Sequence, residues 1–179
     1  LLVVAKTSRA FGPLSEQARH HEFDREYQTL VQGEFSEDAG RIEATLGRSL
    51  ADPKRITVTG LQGRDAATRF RVLERFGCAS LLAVVLETGR THQIRVHLRF
   101  AGHPVLGDPV YGITDFEDWR VPASVKDALK SLHGQALHAG MLGFVHPVTG
   151  EKQVFTAALP PDFDRALTEL RRWRADLPG

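Results

Sequence analysis

The sequence predicts one α+β domain over residues 1–179, a mixed, mostly antiparallel sheet flanked by helices. Short strand-like runs outnumber long amphipathic stretches. Several neighbouring runs are separated by turn residues, as hairpins require. No internal repeat, low-complexity segment or linker divides the chain, and 179 residues at 42% hydrophobic and 25% charged suit a single core.

Residues 1–5 read as a buried strand. Thr7 and Ser8 could cap a helix, but Gly12 and Pro13 interrupt it. Proline fits a first turn better than a helix interior, so the helix is expected from Pro13 to about His20. Residues 26–32 alternate as a strand with Tyr27, Thr29 and Val31 on one face, closed by Gly33. Residues 40–49 suggest a short strand and loop, and 52–63 are polar with turn signals at Gly60 and Gly63. Residues 67–75 are strand-like. Residues 80–87 form a longer strand whose continuous apolar character predicts burial on both faces. Thr91 is placed to cap a helix running to about Ala101, with Ile94 and Leu98 inward and Gly102 as its stop. Residues 103–112 read as a loop and 124–132 as a short surface helix. Residues 142–145 and 153–157 suggest two strands joined by a turn at Thr149 and Gly150. Asp162 is the expected cap of a last helix, with Phe163, Leu167 and Leu170 inward, ending at 177–179.

Composition narrows the function classes. A net charge of +1 announces no global attraction to nucleic acid and leaves only local clusters such as Arg90, Arg95 and Arg99. Arg171, Arg172 and Arg174 read as a solvated helix face. No apolar run is long enough for a helical membrane span. The lone Cys78 excludes an internal disulfide and any multi-cysteine metal site. The apolar start is too short for a signal peptide and no initiator Met is present, so the sequence reads as part of a longer one, expected in the cytoplasm.

The densest chemistry lies at 90–97, where Arg90, His92, Gln93, Arg95 and His97 fall within eight residues at a strand-to-helix junction. A metal site is poorly supported, because His92 and His97 stand five residues apart, roughly 500° around a helix, without zinc-helix spacing. These histidines are expected to satisfy core or backbone hydrogen bonds. No nucleophile elbow, phosphate loop or dinucleotide pattern occurs. An anion grip remains: Arg90 and Arg95 could hold phosphate or carboxylate near a helix N-terminus. Arg95 lies near the inward face, where an unpaired guanidinium is costly, yet no acidic residue nearby in sequence obviously pairs with it.

Residues 86–97 (Leu-Glu-Thr-Gly-Arg-Thr-His-Gln-Ile-Arg-Val-His), with Gly-His-Pro-Val-Leu-Gly-Asp-Pro at 102–109 and Tyr111-Gly112, resemble the RluA-type pseudouridine synthases of large ribosomal subunit and transfer RNA. Residues 1–7 resemble the strand after that family's catalytic motif. Arg25, Glu26 and Tyr27 with residues 30–33 resemble its tyrosine motif, and residues 63–74 the segment before its long strand. Leu137, His138, Ala139, Leu142, Phe144, His146, Pro147 and residues 149–151 resemble its closing hairpin.

The resemblance implies the pseudouridine synthase fold and the isomerisation of specific uridines to pseudouridine in structured ribosomal or transfer RNA. It implies no cofactor and no metal. Arg95 matches the active-site arginine that pairs with the catalytic aspartate, and Tyr27 the active-site tyrosine, which stacks on the base and helps remove the C5 proton. Leu137 resembles the apolar residue lining the base pocket, while Arg90, His92 and Gln93 are expected as RNA or structural contacts. The family's aspartate ends a His-Arg-Leu-Asp motif a few residues before the position of Leu1, and no acidic residue of this chain occupies that place. The chain is therefore expected to be an N-terminally incomplete catalytic domain, monomeric and away from membranes. The alternatives are a catalytically inactive RNA-binding module that kept the fold and, more weakly, a histidine-metal hydrolase. Loss of Arg95 is expected to abolish turnover and lower stability only modestly.

Overall fold

The computed structural model describes residues 1–59 and 63–176. The turn expected at Gly60 and the helix end expected at 177–179 lie outside the described residues. The element order is α1 (Ser8–Arg19), β1 (Asp24–Gln32), β2 (Ala39–Arg48), β3 (Ile56–Val58), β4 (Arg64–Arg75), β5 (Ala79–Leu86), α2 (Gln93–Phe100), α3 (Ala123–Lys130), β6 (Leu137–Val145), β7 (Lys152–Thr156) and α4 (Pro161–Ala175). The strands form one seven-stranded sheet in the order β3-β2-β4-β5-β1-β6-β7. Every pairing of these strands is antiparallel. The expected mixed character survives only in an isolated parallel bridge between Leu106 and Ile113, among the described residues.

β5 lies near the centre of the sheet, which explains its unbroken apolar run. Leu82 and Val84 meet Val31, Phe70, Ile94 and Leu98 on the face covered by α2. Ala79 and Leu81 meet Leu30, Leu106, Leu129 and Leu167 on the other face, beneath α3 and α4. In β1, Tyr27, Thr29 and Val31 stand opposite Val84, Leu82 and Ser80, so the alternation marks the α2 side as expected. α4 buries Phe163, Ala166, Leu167 and Leu170, one stripe of a 3.6-residue helix.

Several expectations are corrected. Residues 1–5 form no strand; Leu2 and Val4 are 80% and 68% exposed. The Leu1 amine donates to the Ala139 carbonyl at 3.2 Å. β6 is already paired by β1 on one side and β7 on the other, so it offers no free edge there. The first helix starts at Ser8, with the Thr7 hydroxyl accepting the Ala10 N–H at 3.3 Å, and runs through Pro13. Buried Leu14 and a double hydrogen bond between the Gln17 amide and the Val145 backbone, 2.8 Å each way, hold the helix despite the proline. Residues 40–48 belong to a ten-residue strand that begins at Ala39. Exposed Arg41 and Glu43 hide its periodicity, and backbone pairing to β4 forms it. Pro160 caps the last helix in place of Asp162, whose carboxylate accepts the His133 and Phe163 N–H groups at 2.9 Å.

The loop after α2 returns to the sheet and is pinned there. Gly102, at φ 84°, ends the helix. Gln32 N–H then bonds the Pro104 carbonyl, Leu106 N–H the Leu30 carbonyl and Ala136 N–H the Leu106 carbonyl, at 3.0, 3.0 and 2.8 Å. The loop is so tight at Gly112 that an added Cβ would stand 1.9 Å from the Val105 carbonyl oxygen. Backbone cannot yield there as a flexible side chain can. Gly112→Ala is therefore expected to cost about 1–3 kcal/mol, as overpacking does, measured as a lower urea midpoint at unchanged m.

Candidate functional site

The strand-to-helix junction is built around the Gln93 side chain, which is 2% exposed. Its Nε2 donates to the Ala67 carbonyl and Thr68 Oγ1, both at 3.0 Å. Its Oε1 accepts Thr88 Oγ1–H at 2.8 Å and Arg90 N–H at 3.0 Å. All four bonds of the amide are used inside the protein, so Gln93 is a structural contact and has none left for a substrate. Of the two roles the sequence left open for Gln93, RNA contact or structural contact, this geometry favours the structural one. His97 is fully buried beside Thr68 Oγ1 at 2.9 Å. Burial pushes its pKa down against a smaller upward pull from the Ala44 carbonyl, and its Nε2 makes no full hydrogen bond.

α2 begins after His92, not Thr91. His92 adopts φ 55°, a conformation costing roughly 1–3 kcal/mol in a non-glycine residue. This places its Nδ1 3.0 Å from the Tyr111 hydroxyl. Burial, then the nearby Arg95 charge, lower the His92 pKa.

In the first turn of the helix, Arg95 meets Asp108 in a bidentate pair, Nε to Oδ2 at 2.7 Å and Nη2 to Oδ1 at 2.6 Å. The Asp108 side chain is 0% exposed and that of Arg95 11%. Val110 and Tyr111 N–H groups add bonds to Asp108 Oδ1 at 2.9 and 3.1 Å. Burial pushes the Asp108 carboxyl up, but Arg95 and the two amides outweigh it and hold it below the usual carboxylate value. The hydrogen bond to Asp108 raises the Arg95 pKa in turn. The guanidinium also lies over the Tyr111 ring, 4.8 Å from its centroid. Arg95 Nη1 is the guanidinium nitrogen not engaged by Asp108, and an incoming acceptor could use it.

Asp108 answers the question of Arg95's partner. The two stand thirteen positions apart in sequence, and only the return of the loop brings them together. The expectation that no carboxylate of this chain pairs with Arg95 is corrected. The available clue was an aspartate set in the apolar stretch Val105-Leu106-Gly107, with no cation beside it in sequence.

The structure thus collects His92, Arg95, Asp108 and Tyr111 into one group. Tyr27 and Leu137 form a second, on one face of the β1–β6 ladder. Tyr27 pairs with Ala139, Leu137 with Thr29, and both side chains rest on the cluster containing Ile94 and Leu98. Leu106 links the two groups, since it bonds β1 at Leu30 and the residue before β6 at Ala136, two residues from Asp108. Leu137 also borders a cleft of about 390 Å³ shared with Gln135, Leu132 and Phe163. Arg90 stands apart, donating from Nε to the Asp65 carbonyl at 3.3 Å.

Other chemistries find little footing. Burial pushes the Cys78 thiol up to about 11, so it is not a ready nucleophile. His92, His97 and His103 each bond within the protein, to Tyr111, Thr68 and the Gln32 carbonyl. No group of three or more His, Cys, Asp or Glu is placed to hold a metal among the described residues.

Residues 1–100 match the RNA pseudouridylate synthase family. The chain is 44% identical over 172 residues to the uncharacterized RNA pseudouridine synthase YlyB of Bacillus subtilis, covering 96% of this chain and 52% of that one. It is 43% identical over 171 residues to ribosomal large subunit pseudouridine synthase D of Nitrosomonas europaea, covering 96% and 48%. The chain spans about half the length of the curated relatives it matches. In fold it resembles human RNA pseudouridylate synthase domain containing 1, with a TM-score of 0.70 at 26% identity, over 98% of this chain and 75% of that one.

Two measurements follow from the geometry. Asp108→Asn leaves a buried guanidinium without its countercharge and is expected to cost roughly 3–5 kcal/mol in urea unfolding. The same argument makes the stability loss from Arg95→Ala large, not modest. His92 and His97 both lie below the ordinary 6.5 in the folded state. The unfolded chain takes up protons below that value while the native state resists them. Their contribution is complete above about 6.5 and is lost as pH falls through the lowered native values. Calorimetry is expected to show Tm falling from about pH 7 to pH 5, less steeply in His97→Gln.

Proposed function

Because the chain belongs to the RNA pseudouridylate synthase family, of the RluA type, we propose that the full protein converts specific uridines to pseudouridine in structured RNA. The N1–C1′ bond breaks, the uracil turns, and C5–C1′ forms; the C5 proton leaves and N1 gains one. The observation that carries this reading is the buried Arg95–Asp108 pair, which fixes a guanidinium at the head of α2 with Nη1 still able to donate. In the proposal Nη1 orients the attacking aspartate and keeps it ionised. That aspartate is supplied by chain preceding Leu1. Support for its approach comes from the position of the Leu1 backbone nitrogen, 3.2 Å from the carbonyl of Ala139, the residue paired with Tyr27. Tyr27 stacks on the uracil and assists loss of the C5 proton. Leu137, its neighbour on the same sheet face, lines the base pocket.

Arg90 and His92 are the proposed RNA contacts at the rim. The target uridine leaves its stack to enter, and recognition rests on splayed bases and backbone charge. Ribosomal RNA is the favoured substrate, on the names of the relatives, with transfer RNA the other candidate. The protein is proposed to act as a cytoplasmic monomer without cofactor or metal.

A second reading, an inactive RNA-binding module, is favoured by one observation: Asp108 already satisfies Arg95. Tritium release separates the two. Full-length protein incubated with large-subunit ribosomal RNA and transfer RNA carrying [5-³H]uridine is expected to release tritium. Tyr27→Phe is expected to slow release by roughly 10²–10⁴ in single turnover. RNA binding without release favours the inactive module, and near-wild-type release by Tyr27→Phe removes the role given to that tyrosine.

A further inference from the structure

A second cleft lies between β3 and α2, outside the group formed by His92, Arg95 and Asp108. It encloses about 350 Å³, and its lining includes Ser49, Arg55, Thr57, Arg99, Phe100 and Tyr111 but no Asp or Glu. Tyr111 is the wall it shares with the Arg95 group. The Tyr111 hydroxyl accepts the N–H of the lining residue Ile56 at 2.9 Å, and its ring also carries the Arg95 guanidinium, 4.8 Å from the centroid.

Three features of the lining point to one ligand chemistry. Phe100, at the end of α2, is 59% exposed, leaving a large aromatic face to water. Arg99 is exposed and donates from Nη1 to the Tyr111 carbonyl at 3.2 Å, with no carboxylate partner among the described residues. Arg55 faces it from the β3 side, with Asp52 3.2 Å from its Nε and a side chain 53% exposed. An apolar peptide would use Phe100 but gain nothing from two guanidinium groups. A nucleotide uses all three: every base has a face to stack, and its phosphate matches the arginine fork.

We propose that this cleft is an RNA subsite for one splayed nucleotide flanking the target uridine, its base on Phe100 and its phosphate on Arg99, with Arg55 on the opposite wall. The inference rests on the RNA-modifying reading above and extends it to a second nucleotide. Because Tyr111 lines this cleft and also packs against Arg95, the subsite adjoins the Arg95 group.

The test reads binding and turnover separately. Full-length wild type, Phe100→Ala, Phe100→Trp and Arg99→Gln are titrated with large-subunit ribosomal RNA transcribed with [5-³H]uridine, by filter binding, and tritium release is followed on the same samples. Phe100→Ala is expected to weaken binding roughly 5- to 150-fold, the range for loss of one stacked base, while Phe100→Trp stays within about twofold. Arg99→Gln is expected to weaken binding and flatten the slope of log K against log salt by about 1. Both positions are exposed, and matched thermal melts check folding. Binding by Phe100→Ala and Arg99→Gln within about twofold of wild type, at an unchanged salt slope, overturns the subsite whatever the turnover. Wild type that binds RNA without releasing tritium removes the isomerase reading while the variants still decide the cleft. Wild type that does not bind RNA overturns both.

Discussion

A guanidinium and a carboxylate that leave water together each lose solvation worth several kcal/mol, which only close pairing and further hydrogen bonds recover. Arg95 and Asp108 meet that demand with two charge-assisted bonds, two backbone amides on the carboxylate and an aromatic face under the guanidinium. Nearly every local feature of the site serves this arrangement. The loop must turn back after α2, so it carries Gly102 and Gly107 at φ 84° and 73°. It must then press against its own backbone, which is why Gly112 has no room for a side chain. Tyr111 follows Asp108 closely and uses its hydroxyl to join β3 and His92.

The pair would drift without a fixed helix origin, and Gln93 supplies one. By bonding Ala67, Thr68, Thr88 and Arg90 at once, it ties the turn after β5 and the start of α2 to β4. A buried polar network of this kind is favourable because it is complete; a half-satisfied one would be worse than an apolar core. The sheet beneath acts as a common floor. Through Leu106 the same loop that carries Asp108 is hydrogen-bonded to β1 and to the residue before β6. Tyr27 and Leu137 are thereby held in fixed relation to Arg95 by backbone, without side-chain contact across the gap being needed.

Much of the fold was legible because burial leaves a period in the sequence. β5 reads as continuous apolar character because both its faces are covered, and α4 as a stripe because one face is. The failures came where a local signal competed with distant contacts. Pro13 argues for a helix start, yet Gln17 and Leu14 anchor the helix across it. Residues 1–5 have the composition of a buried strand, but composition cannot say whether a neighbour has a free edge, and β6 has none. β2 was underestimated because its exposed face carries charges that blur the alternation.

In the candidate site, the sequence by itself determined which side chains bring chemistry. The clustering of Arg90, His92, Gln93 and Arg95, with Tyr27 and Leu137 elsewhere, follows from residue identity and from resemblance to a family. Residue identity, however, says nothing about which groups have their bonding already used. The tertiary structure decided that Gln93 is interior scaffold, that His92 turns to Tyr111, and that Asp108 is the countercharge of Arg95. Hydrogen bonds and ion pairs act over a few ångströms in space, and the thirteen-position separation of Arg95 and Asp108 in sequence is closed to 2.6 Å only when the loop folds back onto the sheet.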